Sequence, residues 1–282
     1  MYTNKFSATL AVASRCTSLN RSLPAEKTVL KEEQLRERLL RFERESRHLT
    51  KDSDERKVIE EVFDRATLWA INRLLSNGQI EYLNGVVNTG KEARVYWGVA
   101  RDGTPRAVKI YLATSAEFKK RLRYIAGDRR FTRIPSSSRD IVNLWVQKEF
   151  KNLQLAEGVG IRVPKPYAFY ENVLVTEYIG TPPGHAPIFA EVEVNEVDYR
   201  WTMKMVKKLY SKAGLVHADL SEYNIFKTKE YRVLFDMGSA VLVTHPEARE
   251  LLVRDVTNLV RFFKRRGIYE KAPEEIVESI IP

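Results

Sequence analysis

The chain has one cysteine and four histidines in 282 residues. A single thiol excludes a disulfide framework and a cysteine-based zinc site, and it fits a reducing compartment. No apolar run approaches the roughly 20 residues that a bilayer-spanning helix needs, so the expected setting is cytoplasmic, with no membrane partner. Acidic residues are missing from the start of the chain, the first being Glu26. That opening stretch has the Arg- and Ser-bearing composition of a transit peptide, yet its apolar patch from Ala8 to Ala13 is too short for a secretory core. A disordered tail or a misassigned start is the reading kept for it.

What is present describes a soluble globular protein, with 44% hydrophobic and 30% charged residues. The length suits one bilobal domain or two small ones. The net charge of +10 favours encounter with a polyanion such as nucleotide, RNA or an RNA-rich particle, although basic balance alone specifies no partner.

The densest chemistry lies between Leu215 and Gly238. The residues run Leu-Val-His-Ala-Asp-Leu-Ser-Glu-Tyr-Asn-Ile-Phe, a short polar turn, then Val-Leu-Phe-Asp-Met-Gly. Apolar runs bounded by acidic and amide residues predict two short strands flanking a polar loop, with Asp219, Asn224 and Asp236 on loops held by that scaffold. Two carboxylates and an amide oxygen form a hard donor set suited to magnesium carrying phosphates. Phosphoryl transfer is the chemistry such a set most often serves. The order matches the protein-kinase pattern of H-R-D, a later Asn and then D-F-G, here His217-Ala218-Asp219, Asn224 and Asp236-Met237-Gly238. For any one of these residues taken singly, capping a turn is the alternative.

Upstream, Thr28 to His48 reads as a charged helix with a thin apolar stripe, either a solvated face or a docking element. Asp54 to Ser76 is a stronger amphipathic helix that Asn77-Gly78 stops, expected to pack on the sheet that follows. The stretch from Gly85 to Gly98 aligns with the kinase glycine-rich loop. Asn88, Gly90 and Ala93 fall at the glycine places and Val95 at the valine; an ordinary glycine-bearing turn is the competing reading. Lys109 alternates within an apolar strand, so its ammonium either snorkels out or meets an anion such as the α- and β-phosphates. Tyr124 to Asp140 is basic and turn-rich and is expected to be mobile. Ile141 to Glu157 is a helix on which Glu149 either pairs with Lys109 or makes a surface i,i+4 contact. Val173 to Gly180 runs from strand to glycine, as a connector between two lobes would, with the backbone of Glu177 and Ile179 facing adenine. Glu191 to Ala213 and His245 to Arg266 are further helices, and the likeness to the kinase pattern implies that Asp255 on the second holds the catalytic-loop backbone.

These blocks together resemble the RIO family of atypical serine/threonine kinases, in its type-one branch. The resemblance rests on Asn-Thr-Gly-Lys-Glu-Ala at 88–93, Gly-Asp-Arg-Arg-Phe at 127–131, Trp-Val-Gln-Lys-Glu-Phe at 145–150, Thr-Glu-Tyr-Ile-Gly at 176–180 and His-Ala-Asp-Leu-Ser-Glu-Tyr-Asn at 217–224. It implies an α+β, bilobal, trimmed kinase fold over 54–282, with a small β-rich lobe to about 176 and a mainly helical lobe from about 180. It implies ATP and magnesium, or manganese, as cofactors. Asp219 is then the catalytic acidic residue, and Asn224 and Asp236 hold metal. Asn88, Thr89, Gly90, Lys91, Glu92, Ala93, Val95 and Lys109 hold ATP, with Glu149, His217 and Asp255 in support. The family implies that Asp236 accepts phosphate transiently, and that the partner is the maturing small ribosomal subunit, its RNA or its proteins.

Three departures from ordinary protein kinases narrow this expectation. Ala218 replaces the arginine that would receive a phosphorylated activation loop. Ser221 stands where a lysine touches the transferred phosphate, and only about forty residues follow Gly238, with no Ala-Pro-Glu stretch. An ATPase-like or self-phosphorylating enzyme fits better than a broad peptide kinase. Ser136, Ser137 and Ser138 are the candidate self-phosphorylation sites. Two other readings stay open: a small-molecule kinase of the aminoglycoside or choline type, and an RNA-particle binding module clamped by nucleotide without turnover.

Overall fold

The structure, a computed structural model, describes residues 63–112, 120–131, 133–268 and 271–281. The expected tail and charged helix over residues 1–50 lie outside them. The chain packs as two units, Met1–Ser115 with Tyr167–Tyr178, and Ala116–Pro166 with Ile179–Pro282. The change of unit at Tyr178 falls inside the expected connector.

In the first unit, helix α1 (Arg65–Ser76) is capped by Asp64, whose carboxylate accepts from the Thr67 amide at 2.9 Å. The helix starts at Arg65, where Asp64 takes an extended conformation to make this cap, and the part of the expected helix over 54–62 lies outside the described residues. Phe63, just before the cap, and Leu68, one turn in, both enter the core, the arrangement that fixes a helix's entry angle. Strands β1 (Tyr82–Thr89), β2 (Ala93–Val99), β3 (Pro105–Tyr111), β4 (Pro166–Tyr170) and β5 (Val173–Glu177) form one sheet in the order β1-β2-β3-β5-β4. Alternation divides its two faces. Tyr96, Val108, Ile110, Val173 and Val175 pack with Leu68, Ile71 and Leu74 of α1. Buried Asn172 closes this arrangement, donating to Thr67 Oγ1 at 2.9 Å and to the Tyr111 carbonyl at 2.7 Å.

The second unit holds helices α2 (Ser138–Gly158), α3 (Glu196–Lys208), α4 (Ala248–Arg265) and α5 (Pro273–Ile280). Two-stranded pairs join β6 (Gly180–Thr181) to β7 (Gly184–His185), β8 (Leu215–Val216) to β11 (Val241–Leu242), and β9 (Ile225–Lys227) to β10 (Arg232–Leu234). The central stretch thus carries three strands and not two, because Ile225–Lys227 pairs back on Arg232–Leu234 as a hairpin. Helix α3 begins at Glu196 and not Glu191: Asn195 and Asp198 form a capping box there, with Asn195 Oδ1 accepting from Val197 and Asp198 amides. After Lys208 the helix widens into a π turn and stops at Gly214 in the left-handed region, φ 66°. An aromatic cluster of Tyr199, Phe189, Phe262 and Phe263, with ring centroids 5.1–6.5 Å apart, locks α3 to α4.

The packing groups 116–166 with the second unit, whereas the expected first lobe ran to about 176. The reason is α2, whose buried Lys148 and Asn152 reach backbone carbonyls beyond Asp236. The segment from Tyr124 is also not the loose loop its composition suggested. Tyr124, Ile125 and Phe131 are buried, Asp128 pairs with Arg130 at 2.6 Å, and His245 lies 2.7 Å from the Ala126 carbonyl.

Candidate active site

The acidic and amide residues singled out in the sequence meet in the second unit. The Asn224 side-chain amide donates to the Asp219 carbonyl at 2.7 Å, and the Phe235 amide donates to the Asn224 carbonyl at 3.1 Å. This second bond places Asp236 beside the loop that bears Asp219. The hairpin itself is pinned from below by Asp198, whose buried carboxylate accepts from Lys227 at 2.7 Å and pairs with Arg232 at 2.6 Å. Burial works against that carboxylate, but its bonds from Lys227, the Asn195 backbone and Arg232 keep it below the ordinary range.

Two non-glycine residues here hold left-handed backbone, Ala218 at φ 63° and Asp236 at φ 60°. Each costs on the order of 1–3 kcal/mol and persists only where the surroundings fix it. For Ala218 the fixing groups come from α4. Fully buried Asp255 accepts the Ala218 amide at 2.7 Å and the Leu220 amide at 3.0 Å, while Arg254 donates to the Ala218 carbonyl. Burial pushes the Asp255 carboxyl up to about 7, against the pull of those two amides and Arg254. Asp255 is thus brought to the loop that bears Asp219. His217 is buried, its ring Nε2 3.1 Å from the Phe235 carbonyl, so the imidazole donates there. Burial lowers its pKa, and the neutral ring fastens Asp219's strand to Asp236's.

Asp236 and its successors are held from the other side by α2. Lys148, wholly buried, donates to the Gly238 carbonyl at 2.8 Å and to the Ala240 carbonyl. Asn152, one turn on, donates to the Met237 and Ala240 carbonyls at 2.8 and 2.9 Å. Gly238 is glycine of necessity, since a Cβ there would stand 2.7 Å from the Trp145 indole nitrogen. Neither Lys148 nor Asn152 was found from sequence. The available signal is spacing: 141, 145, 148 and 152 form one helical stripe, and two polar residues on an otherwise apolar seam require partners.

Asp219 is exposed, yet partial burial of its carboxyl and the facing Asp236 raise its pKa, while Arg121 and Arg254 act in the opposite direction. A carboxyl held up in this way is suited to accepting a proton. The donor set also fits a hard divalent cation. Asp219 and Asp236 face each other in charge, and Asn224, with its nitrogen turned to the Asp219 carbonyl, has its amide oxygen on the opposite side. Among the described residues no group of three or more His, Cys, Asp or Glu is placed to hold a metal.

In the first unit, Asn88 lies opposite Val95, Val95 opposite Lys109, and Lys109 opposite Leu174. One register row therefore carries Asn88, Val95 and Lys109 on the sheet face opposite α1. Lys109 Nζ lies 4.9 Å from the Tyr111 ring centre. Residues 90–92 form the turn between β1 and β2, closed by the Gly90 amide on the Ala93 carbonyl at 2.9 Å; Asn88, Thr89, Gly90 and Lys91 are exposed and Glu92 half-buried. Glu149 is buried on α2, in the second unit, and Lys109 belongs to the first. Glu177 ends β5, and the Ile179 carbonyl accepts from the Ala186 amide at 2.8 Å.

Residues 94–276 match the RIO domain family. The chain is 42% identical over 225 residues to the RIO-type serine/threonine-protein kinase Rio1 of Haloferax volcanii, spanning 79% of this chain and 77% of that one. It is 40% identical over 217 residues to the protein of the same name from Methanocaldococcus jannaschii, spanning 75% and 73%. Among solved structures, the Rio2 kinase–ADP/Mg2+–phosphoaspartate complex from Chaetomium thermophilum aligns with a TM-score of 0.60 at 19% identity, covering 76% of this chain and 66% of that one. The sheet-rich first unit and helical second unit accord with that kinase fold. These names leave the small-molecule-kinase reading without support. A loop bearing Asp219 and braced by Asp255, a loop bearing Asp236 and braced by Lys148, and a family match over most of the chain lead to one assignment: the chain belongs to the RIO family of atypical serine/threonine-protein kinases.

Proposed function

We propose that the protein is an ATP- and magnesium-dependent RIO kinase that phosphorylates itself or hydrolyses ATP, and that it works on the maturing small ribosomal subunit. The observation that carries the catalytic part is the junction of Asp219, Asn224 and Asp236 through the Asn224 amide and the Phe235–Asn224 bond. Asn224 and Asp236 hold the magnesium, which when bound neutralises phosphate charge. Lys109 and the Asn88–Ala93 turn hold the phosphates. At Ile179 the carbonyl is already taken, so the amide is the group offered to adenine, with the Glu177 backbone beside it.

In transfer to a serine, Asp219 takes the hydroxyl proton as the oxygen bonds to the γ-phosphorus. The bond to the bridging oxygen breaks, and its electrons leave with ADP. Where Asp236 is the acceptor, its carboxylate oxygen attacks directly and no proton is released. Water then cleaves the acyl phosphate, giving its proton to Asp219. The phosphoaspartate in the Chaetomium thermophilum Rio2 complex supports this second route. The ribosomal partner is supported by the surplus of 47 Lys and Arg over 37 Asp and Glu.

Purified protein with Mg-ATP is expected to release phosphate or label itself, and Asp219→Ala to abolish both. Acid-labile label would mark Asp236 and acid-stable label a serine. Full activity in Asp219→Ala would remove this reading.

A further inference from the structure

The loop that follows Asp236 turns its carbonyls toward α2. Those of Met237 and Ala240 accept from the Asn152 amide at 2.8 and 2.9 Å, that of Gly238 accepts from Lys148 Nζ at 2.8 Å, and Lys148 also reaches the Ala240 carbonyl. Trp145, on the same stripe of α2 as Lys148 and Asn152, backs Gly238, whose missing Cβ lets the loop come this close.

Lys148 and Asn152 have no solvent exposure. A polar group so placed is costly unless its bonds are made. Any path of the loop that turned the Met237, Gly238 and Ala240 carbonyls away would leave two wholly buried nitrogens without these acceptors, so the pair penalises every such path. Asn152 Oδ1 finds no hydrogen-bond partner among the described residues, which leaves donation to the loop as the amide's contribution. The path so favoured is one that needs support, since Asp236 holds left-handed backbone at φ 60°. Before Asp236 the Phe235 amide is tied to the Asn224 carbonyl at 3.1 Å; after it the ties come from α2. Ala218 meanwhile replaces the arginine through which a phosphorylated loop would order this region.

We propose that Lys148 and Asn152 are positioning residues for the cation, holding Asp236 in the geometry that takes magnesium and so replacing a phosphorylated switch with a brace built into α2. The proposal rests on the reading that Asn224 and Asp236 hold the metal, and adds to it the residues that set one of them. Neither side chain touches the cation. Magnesium demands near-ideal octahedral geometry whereas calcium accepts looser oxygen arrangements, so a loosened loop costs magnesium more.

The test compares full-length wild type, Lys148→Met, Asn152→Ala and Ile276→Ala, the last a core truncation on α5 that serves as the control for lost stability. ADP affinity is measured without divalent metal, with Mg2+ and with Ca2+, and hydrogen exchange is followed at the Ala240 amide, which donates to the Met237 carbonyl. Lys148→Met is expected to lose roughly 10–100-fold in affinity for Mg-ADP, the scale of removing a partner that orients a metal-holding group, with metal-free ADP binding retained within about threefold and a smaller loss for Ca-ADP. Exchange at Ala240 should quicken, and single-turnover rate with ATP should recover in part as Mg2+ is raised. Asn152→Ala should move the same ratios in the same direction, and it carries the test alone if Lys148→Met does not fold. Ile276→Ala should lower the melting temperature and leave the ratio of Mg-ADP to metal-free affinity unchanged. Phosphatase-treated wild type should bind Mg-ADP as untreated protein does. An unmoved ratio in the folded α2 variants, an equal shift in Ile276→Ala, or a need for prior phosphorylation overturns the brace. Wild type that binds ADP no better with Mg2+ than without it shows instead that the metal reading beneath has failed, and the brace falls with it.

Discussion

Lys148 places an ammonium with no solvent exposure between two backbone carbonyls, and burial brings its pKa down from 10.5 to about 7. Unfolding returns the group to water and its ordinary value. Between about pH 7 and 10.5 the unfolded chain then holds a proton that the folded chain has released, so this residue makes stability rise with pH across that window. Lys148→Met lacks the titration. The difference in melting temperature between wild type and this variant should therefore widen in favour of wild type from pH 7 to 9.5, and a constant difference would contradict the lowered pKa of Lys148. At Gly238 the expected effect is steric. In Gly238→Ala the new methyl stands 2.7 Å from a rigid indole, and overpacking of this kind costs typically 1–3 kcal/mol, readable as a lower denaturation midpoint.

At the scale of elements, α4 acts on the loop that bears Asp219 through the Asp255 carboxylate and the Arg254 guanidinium. Asp255→Ala leaves the Ala218 and Leu220 amides without their acceptor, at about 1–3 kcal/mol each. Hydrogen exchange at these two amides should rise well beyond the change at Leu259 on the same helix, and turnover should fall with it. Uniform exchange across α4 would mean that Asp255 serves only global stability. Asp255 was legible only through the likeness to the kinase pattern, in which an acid on the later helix holds the backbone of the catalytic loop. Lys109 was legible on other grounds, since strand alternation puts it on the face opposite Val108 and Ile110. The role of α2 was not. Lys148 and Asn152 bind main-chain carbonyls some 85 to 92 residues away, and a carbonyl leaves no mark in the sequence because every residue has one. The same blindness misplaced the boundary between the two units and made the Tyr124 segment look loose, its anchor being His245 near the Arg123 and Ala126 carbonyls.

For the whole molecule, the question is what a net charge of +10 serves. A nucleotide triphosphate and its metal need only a few cations, and those proposed for it are Lys91 and Lys109. The remaining surplus includes Lys204, Lys207, Lys208 and Lys212 along α3 and its π turn, and Lys264 and Arg266 at the end of α4. Charge of this kind binds a polyanion by releasing counterions, which makes affinity fall linearly with salt on logarithmic axes. If about six phosphates are neutralised, affinity for a structured RNA should drop roughly 10²–10³-fold between 50 and 200 mM salt, with the slope reporting the number of contacts. Charge reversal at Lys204 and Lys208 should make that slope shallower while leaving single-turnover phosphate release from Mg-ATP unchanged, because neither residue belongs to the catalytic cluster. A salt-independent affinity, or an RNA affinity indifferent to these substitutions, would separate the basic surplus from any RNA partner and leave the ribosomal proposal without its physical support.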